Sequence, residues 1–169
     1  GGAVLSGGCY ELEAGTPYLP FVEALRGWVR SSSDEVVRDA VGGAGAELAR
    51  LAPELTSRIG PFEGGPELSA AEERLRLFDG VARCLFHIAG ERGLLLFIDD
   101  LQWADQASLG LLHYLVRLIG NEKVLVVGCY RETELDRAHP LAEALDTWNR
   151  ERAAVRVHLG RLDPAATSA

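Results

Sequence analysis

The sequence predicts an α/β fold built on a parallel sheet, and three observations support that prediction. Two apolar runs, Leu94–Ile98 and Val124–Val127, have the length and the lack of alternation of strands buried on both faces. An amphipathic helix between them makes residues 94–131 a strand–helix–strand unit, whose crossover is expected to be right-handed. The 169 residues are 47% hydrophobic and 25% charged, which suits one globular domain with its own core.

The first part of the chain predicts one strand and several helices. Gly1–Tyr10 (GGAVLSGGCY) has a short apolar centre and predicts a strand interrupted by small residues. Apolar residues at helical spacing predict a helix that begins near Phe21. The segment Asp34–Leu55 predicts two short helices, because Gly42–Gly45 interrupts its periodicity. Ile59–Glu67, which holds two prolines and three glycines, predicts a loop.

The second part of the chain carries clear helix start signals. Ser69 and Glu72 form the pattern of a capping box ahead of a long amphipathic segment. Asp105 is the predicted N-cap of the helix between the two buried strands, and Pro140 suits the first turn of a later helix. Val155–Leu159 (VRVHL) alternates in polarity and predicts a final strand.

Composition narrows the functional classes. A formal net charge of −8 and a pI near 5.0 argue against a nucleic-acid surface in this segment. The three cysteines lie far apart without metal-site spacing, so a disulfide framework is not expected and a reduced, cytoplasmic setting is. No apolar run reaches the length of a membrane helix, and no signal peptide opens the chain. The absence of methionine suggests that the sequence is a piece of a longer protein.

Charged side chains follow both buried strands. Asp99 and Asp100 end the first, Arg131 follows the second, and parallel strands place all three at one sheet edge. Adjacent acids point to opposite sides of a strand, so one can hold Mg²⁺ through a bound water while the other orients an attacking water. The arginine can reach a phosphate. In a less specific interpretation the acids only cap a loop and Arg131 pairs with Glu132 or Glu134; the joint pattern favours a site.

A phosphate-binding loop is not found among the glycine-rich segments. GGAVLSGG, VGGAGAEL and FEGGPE all lack the Gly-Lys-Ser/Thr ending of a P-loop. The single lysine, Lys123, precedes its strand and is therefore predicted at the opposite edge of the sheet. Either the protein does not hydrolyse nucleotide, or the first strand and the P-loop lie upstream of Gly1.

The segment LLLFIDDLQWADQASLGLLHYL resembles the Walker B region of STAND-type signalling ATPases. These are the AAA-related ATP-binding modules of large LuxR-family (LAL-type) transcriptional regulators and of relatives fused to cyclase or kinase domains. The resemblance continues through CYELEAGTPYLPFVEALR, VLVVGCYRETEL, the helix that opens with HPL, and the closing VHLGRL, so that it covers nearly the whole chain.

The resemblance implies a P-loop NTPase-like, three-layer αβα fold with a parallel sheet of strand order 5-1-4-3-2. The strands of this chain would be the second to the fifth, and the first strand, the P-loop and the first helix would be missing. The domain would be one partial AAA/STAND-like ATPase domain over residues 1–169, with a helical insertion at about 18–68 and a Walker B to sensor unit at 94–131.

The resemblance also implies roles for the three charged residues. Asp99 would be the metal-binding Walker B acid, Asp100 the catalytic acid that positions the attacking water, and Arg131 a sensor-type arginine that contacts the nucleotide. Relatives often carry Thr or Ser two places before that arginine; Cys129 stands there in this chain and removes the hydroxyl. The implied cofactors are ATP and Mg²⁺, both of which need the P-loop.

Three functional hypotheses follow from these patterns. The first is an ATP-binding and hydrolysing switch domain of a signal-transducing transcriptional regulator, inactive as this piece alone, with possible self-association and no contact with nucleic acid or membrane. The second is a non-catalytic interaction or scaffold domain that keeps the NTPase fold. The third is a phosphoacceptor receiver, which also ends a strand in paired acids. It needs a separate acceptor Asp at another strand end and a later Lys, and Arg131 and the single Lys123 fit neither role.

Overall fold

Three parallel strands form one sheet in the computed structural model, which describes residues 1–62, 68–136 and 138–160. Strands β1 (Ala3–Gly8), β2 (Leu94–Asp99) and β3 (Val124–Gly128) lie in the order β1-β2-β3. Both neighbouring pairs are parallel and in continuous register. The predicted α/β class is therefore confirmed, and the order matches the 2-3-4 portion of the 5-1-4-3-2 sheet of a partial P-loop NTPase-like fold.

Seven helices accompany the sheet in the part of the chain that the structure describes. They are α1 (Leu19–Ser31), α2 (Asp34–Val41), α3 (Gly45–Leu48), α4 (Glu54–Ile59), α5 (Ala70–Ala89), α6 (Gln106–Leu118) and α7 (Pro140–Arg150). Short 3-10 turns lie at residues 11–13, 42–44, 101–103, 119–121 and 132–134. None of these helices is long and apolar enough to cross a membrane.

Local signals account for most of the helix boundaries. Ser69 accepts from the backbone N–H of Glu72 while the Glu72 carboxylate accepts from the Ser69 N–H at 2.9 Å, so the capping box is confirmed. The predicted break at Gly42 is confirmed too, because this residue has φ +49 and ends α2. Only residues 60–62 of the predicted loop at 59–67 follow α4 as loop; residues 63–67 lie outside the described chain.

The prediction of a final strand at Val155–Leu159 is wrong. This segment has no strand pairing, and Val155, Val157 and Leu159 are 92%, 74% and 88% exposed. Alternating polarity shows only that a segment could form a strand, whereas a strand requires a hydrogen-bonded neighbour. In the 5-1-4-3-2 order the fifth strand pairs with the first, and none of the three strands described here has that position.

The core lies between the sheet and the helices, and α1 approaches β1 most closely. A Cβ at Gly7 would lie 1.9 Å from the carbonyl oxygen of Pro20, so only glycine lets the start of α1 cross the end of β1. The buried strand side chains Leu5, Leu96 and Ile98 are at most 2% exposed. This packing fixes the first turn of α1 directly beside the carboxyl edge of the sheet.

Candidate functional site

The carboxyl ends of β2 and β3 bring the predicted site residues together. Asp100 leaves the strand in the left-handed conformation, with φ 52, which Asp tolerates better than most residues. The Arg131 Nε lies 3.7 Å from Asp100 Oδ1, so the prediction that both lie at one edge of the sheet is confirmed. Arg131 also donates to Glu134 at 3.1 Å, as the less specific interpretation required.

The two adjacent carboxylates have different surroundings. Asp99 is exposed, and its Oδ1 accepts from the backbone N–H of Asp100 at 3.0 Å. The Asp100 carboxylate is held by protein donors, since its Oδ1 accepts from Gln102 Nε2 at 2.8 Å and faces the Arg131 guanidinium. Asp99 is therefore the more accessible acid for a cation, and Asp100 is the more precisely oriented one.

Gln102 is a component of this edge that the sequence analysis did not single out. Its side chain is 2% exposed, yet both ends of its amide are hydrogen-bonded. Nε2 donates to Asp100, and Oε1 accepts from the backbone N–H of Arg131 at 3.1 Å. The available signal was a polar residue between two apolar ones, Leu101 and Trp103, directly after the acid pair.

The end of β1 adds negative charge to the same edge. The Cys9 N–H donates to the Asp99 carbonyl at 3.1 Å, and the Glu23 carboxylate accepts from the Gly8 N–H at 2.9 Å and from the Tyr10 hydroxyl at 3.2 Å. Burial, with the nearby carboxylates of Asp105, Asp100, Glu23 and Asp99 adding to it, raises the pKa of the Cys9 thiol to about 12. A neutral Cys9 thus lies among acids.

Asp105 connects two elements at this edge. Its carboxylate caps α6 by accepting from the Ala107 and Ser108 N–H groups at 2.8 and 3.0 Å, which confirms its predicted role. The same carboxylate accepts from the Tyr18 N–H at 3.2 Å, just before α1. Tyr18 has φ 63, so Asp105 also stabilises an uncommon backbone conformation.

Lys123 lies at the opposite, amino edge of the sheet, as predicted. Its Nζ pairs with the Glu91 carboxylate and donates to the Glu91 carbonyl at 3.2 Å. Its own carbonyl accepts from the Leu94 N–H at the start of β2. This lysine cannot reach a phosphate bound beside Asp99.

Three further aromatic and imidazole side chains, those of Trp103, His113 and His87, have structural contacts. Trp103 is half-buried and packs against the core. His113 Nδ1 and Trp148 Nε1 lie 3.0 Å apart, a bond from α7 to α6, and His87 pairs with Asp39 at 3.0 Å.

The carboxyl edge of the sheet fits a magnesium ion that takes a single carboxylate ligand from the protein. The described residues contain no group of three or more His, Cys, Asp and Glu side chains that could hold a metal ion. Mg²⁺ typically takes one or two protein carboxylates and completes its shell with water and substrate phosphates. The exposed Asp99 fits the role of such a single carboxylate ligand.

The model of the AAA ATPase domain family matches residues 1–127. This chain belongs to that family. The matched part of the AAA ATPase domain includes β1, β2, the acid pair and Gln102, and it ends within β3 before Arg131. No curated protein and no solved structure matches the chain significantly.

Proposed function

We propose that this AAA ATPase domain is an ATP-binding and hydrolysing switch of a cytoplasmic, signal-transducing transcriptional regulator. The observation that carries the proposal is the meeting of Asp99, Asp100 and Arg131 at the carboxyl edge of a parallel sheet. Ligands of open α/β sheets bind outside this edge. The family membership supports nucleotide binding in general.

The surroundings of each residue support a distinct role. Asp99 would hold Mg²⁺, which when bound neutralises charge that develops on the phosphates. Asp100 would orient the attacking water, because neighbouring donors fix its carboxylate. Arg131, whose side chain is 65% exposed, would exchange its partners Asp100 and Glu134 for a phosphate oxygen and so report nucleotide occupancy.

The proposal includes a domain organisation. Residues 1–169 would be one partial AAA/STAND-like domain, with a helical insertion at about 18–68 and a Walker B to sensor unit at 94–131. The phosphate-binding loop would come from outside this sequence, since Lys123 pairs with Glu91 at the amino edge. Residues 1–169 alone are then expected to be inactive.

The test is a matched pair of substitutions in the intact protein. Asp100→Asn keeps the size of the side chain but removes the charge that orients water, so turnover should fall by about 100-fold or more while ATP binding persists. Asp146→Asn, on an exposed position of α7, is the control and should leave both unchanged. Unchanged turnover in Asp100→Asn would contradict the assigned role.

A non-catalytic interaction or scaffold domain is the second candidate. The placement of the single lysine away from the acid pair favours it. Titration calorimetry of the intact protein with MgATP separates the two, because the switch requires measurable binding and the scaffold does not. Self-association that depends on ATP would support the switch.

A further inference from the structure

We infer that Gln102 is the positioning residue that holds Asp100 and Arg131 in one fixed arrangement across the two strand ends. The inference deepens the proposed function and rests on it, because it assigns a purpose to the link between the acid and the arginine. Gln102 does not act on the reacting atoms itself. It acts through the two residues it contacts.

The hydrogen bonds of the Gln102 amide carry this inference. Nε2 donates to Asp100 Oδ1 at 2.8 Å and Oε1 accepts from the Arg131 N–H at 3.1 Å. The side chain is only 2% exposed, so water cannot replace either partner readily. Because a carboxamide is planar and rigid, these two contacts set the distance between the Asp100 carboxylate and the Arg131 backbone.

The backbone around Gln102 is itself fixed to β3. The Leu101 N–H donates to the Cys129 carbonyl at 2.8 Å, and the Trp103 N–H donates to the Asp100 carbonyl at 2.9 Å. Leu101 also lies against Gly128, where a Cβ would come within 2.3 Å of Leu101 Cδ1. The turn that carries Gln102 is therefore held against β3, and the backbone position from which the Gln102 side chain extends is fixed.

This arrangement couples the two site residues. A displacement of the Arg131 backbone alters its bond to Gln102 Oε1, and the same amide then moves Nε2 relative to Asp100. A phosphate that draws Arg131 would thus also change the orientation of the water-positioning acid. The direct Arg131–Asp100 approach of 3.7 Å is longer than either bond to Gln102 and is a weaker link.

Two substitutions at this position separate the two bonds. Gln102→Glu is close in size and keeps an acceptor for the Arg131 N–H, but it loses the donor to Asp100 and places a second carboxylate beside it. Gln102→Leu loses both bonds. Gln102 and Gln106 are the only glutamines in the sequence, and Gln106 is exposed on α6, so Gln106→Leu is a matched control.

The first measurement is amide NMR of the ¹⁵N-labelled protein. In the wild type, the side-chain NH₂ of Gln102 should exchange with solvent at least about tenfold more slowly than that of Gln106, because it is buried and bonded. The Arg131 N–H should stay protected in Gln102→Glu and lose protection in Gln102→Leu. Equal exchange for the two glutamine side chains would overturn the inference, and this result needs no variant to fold.

The second measurement is turnover of MgATP by the intact protein. Gln102→Leu and Gln102→Glu should each lower kcat by about tenfold or more with KM for ATP nearly unchanged, since a misplaced group costs rate rather than binding. Gln106→Leu should match the wild type. A purely structural role predicts lower thermal stability in Gln102→Leu without this split between kcat and KM, and that outcome overturns the inference.

The two proposals fail in distinguishable ways. If Asp100→Asn lowers turnover and both Gln102 variants retain wild-type kcat, the positioning role is wrong while the proposed function stands. If Asp100→Asn retains full turnover, the role assigned to Asp100 is wrong, and if the intact protein neither binds nor hydrolyses MgATP, the proposed function fails. Fast exchange of the Gln102 side-chain NH₂ in the wild type would refute the positioning role independently of both results.

Discussion

The two edges of the sheet differ in how their polar groups are arranged. At the amino edge, Lys123 and Glu91 form a surface pair with side chains that are 55% and 94% exposed. At the carboxyl edge, Asp100, Gln102 and Arg131 form a connected set that includes a side chain only 2% exposed. The same three strands thus end in a solvated pair on one side and in a partly buried network on the other.

The direction of the chain explains this difference. Each parallel strand leads at its carboxyl end toward the N-terminus of the next helix, where free backbone N–H groups and the helix dipole favour negative charge. Asp105 accepts from two N–H groups in the first turn of α6, and Glu23 accepts from the N–H of Gly8, the last residue of β1. The amino edge receives the C-terminal ends of α5 and α6. A site that uses acidic side chains is therefore expected at the carboxyl edge of the sheet.

The largest expected effect comes from adding a side chain where β1 and α1 lie in close contact at the carboxyl edge. Gly7→Ala places a methyl group 1.9 Å from the Pro20 carbonyl oxygen, which is backbone and cannot rotate away. We expect the free energy of unfolding to fall by about 3 kcal/mol, measured by urea denaturation. Gly120→Ala, before β3 at the amino edge, meets nothing within 4 Å and should change stability by less than about 0.5 kcal/mol. Equal losses would show that the close approach is not required.

The next largest effect should follow removal of the Asp105 carboxylate. Asp105→Ala removes the cap of α6 and leaves the Tyr18 N–H without its acceptor. We therefore expect the free energy of unfolding, measured by thermal or urea denaturation, to fall by about 2 kcal/mol. Glu122→Ala, an exposed acid that precedes β3 at the amino edge, is the matched control and should have little effect. If the two losses were alike, the contrast between the edges would not extend to stability.

The buried Cys9 thiol at the carboxyl edge should contribute to a loss of stability at alkaline pH, as should the buried Cys84 thiol, whose pKa burial also raises to about 12. The pKa of the folded Cys9 thiol, about 12, lies above its ordinary value of 9.0. Between these two pKa values the unfolded chain has released a proton that the folded chain keeps, so the free energy of unfolding falls as pH rises through this window. The contribution of the neutral thiol to stability is fully present below the unfolded pKa. Cys9→Ala should weaken the alkaline decline in urea midpoints measured from pH 8 to pH 10. Parallel declines in the variant and the wild type would count against a neutral, buried thiol.

The smallest effect should come from the amino edge. Lys123→Ala removes an exposed ion pair with Glu91, and such pairs contribute less than about 1 kcal/mol. We expect the loss in a thermal melt to stay below about 0.5 kcal/mol and to vanish at high salt. A larger, salt-independent loss would mean that this pair has a structural role like that of the carboxyl-edge network.

Much of the fold was predictable because it depends on local patterns. The apolar runs specified β2 and β3 as strands, and Ser69 and Asp105 marked the starts of their helices. The prediction that both strands are buried on both faces is wrong for β3, where Leu125 is 61% exposed. The failed prediction at Val155–Leu159 rested on the same kind of pattern. A strand also requires a partner, and no local pattern of residues states which neighbour is present.

Some features of the candidate site were likewise predictable from the sequence, and others were not. The sequence by itself determined that Asp99, Asp100 and Arg131 lie at one edge of the sheet, because parallel strands have their carboxyl ends on the same side. The direct pairing of β2 with β3, which brings Arg131 to Asp100, is seen only in the structure. Only the tertiary structure decided that Gln102 turns inward to join two of them, and that Asp99 stays exposed while Asp100 is held. The physical reason is that strand direction follows from periodicity along the chain, whereas the satisfaction of a buried amide depends on which groups from distant segments surround it.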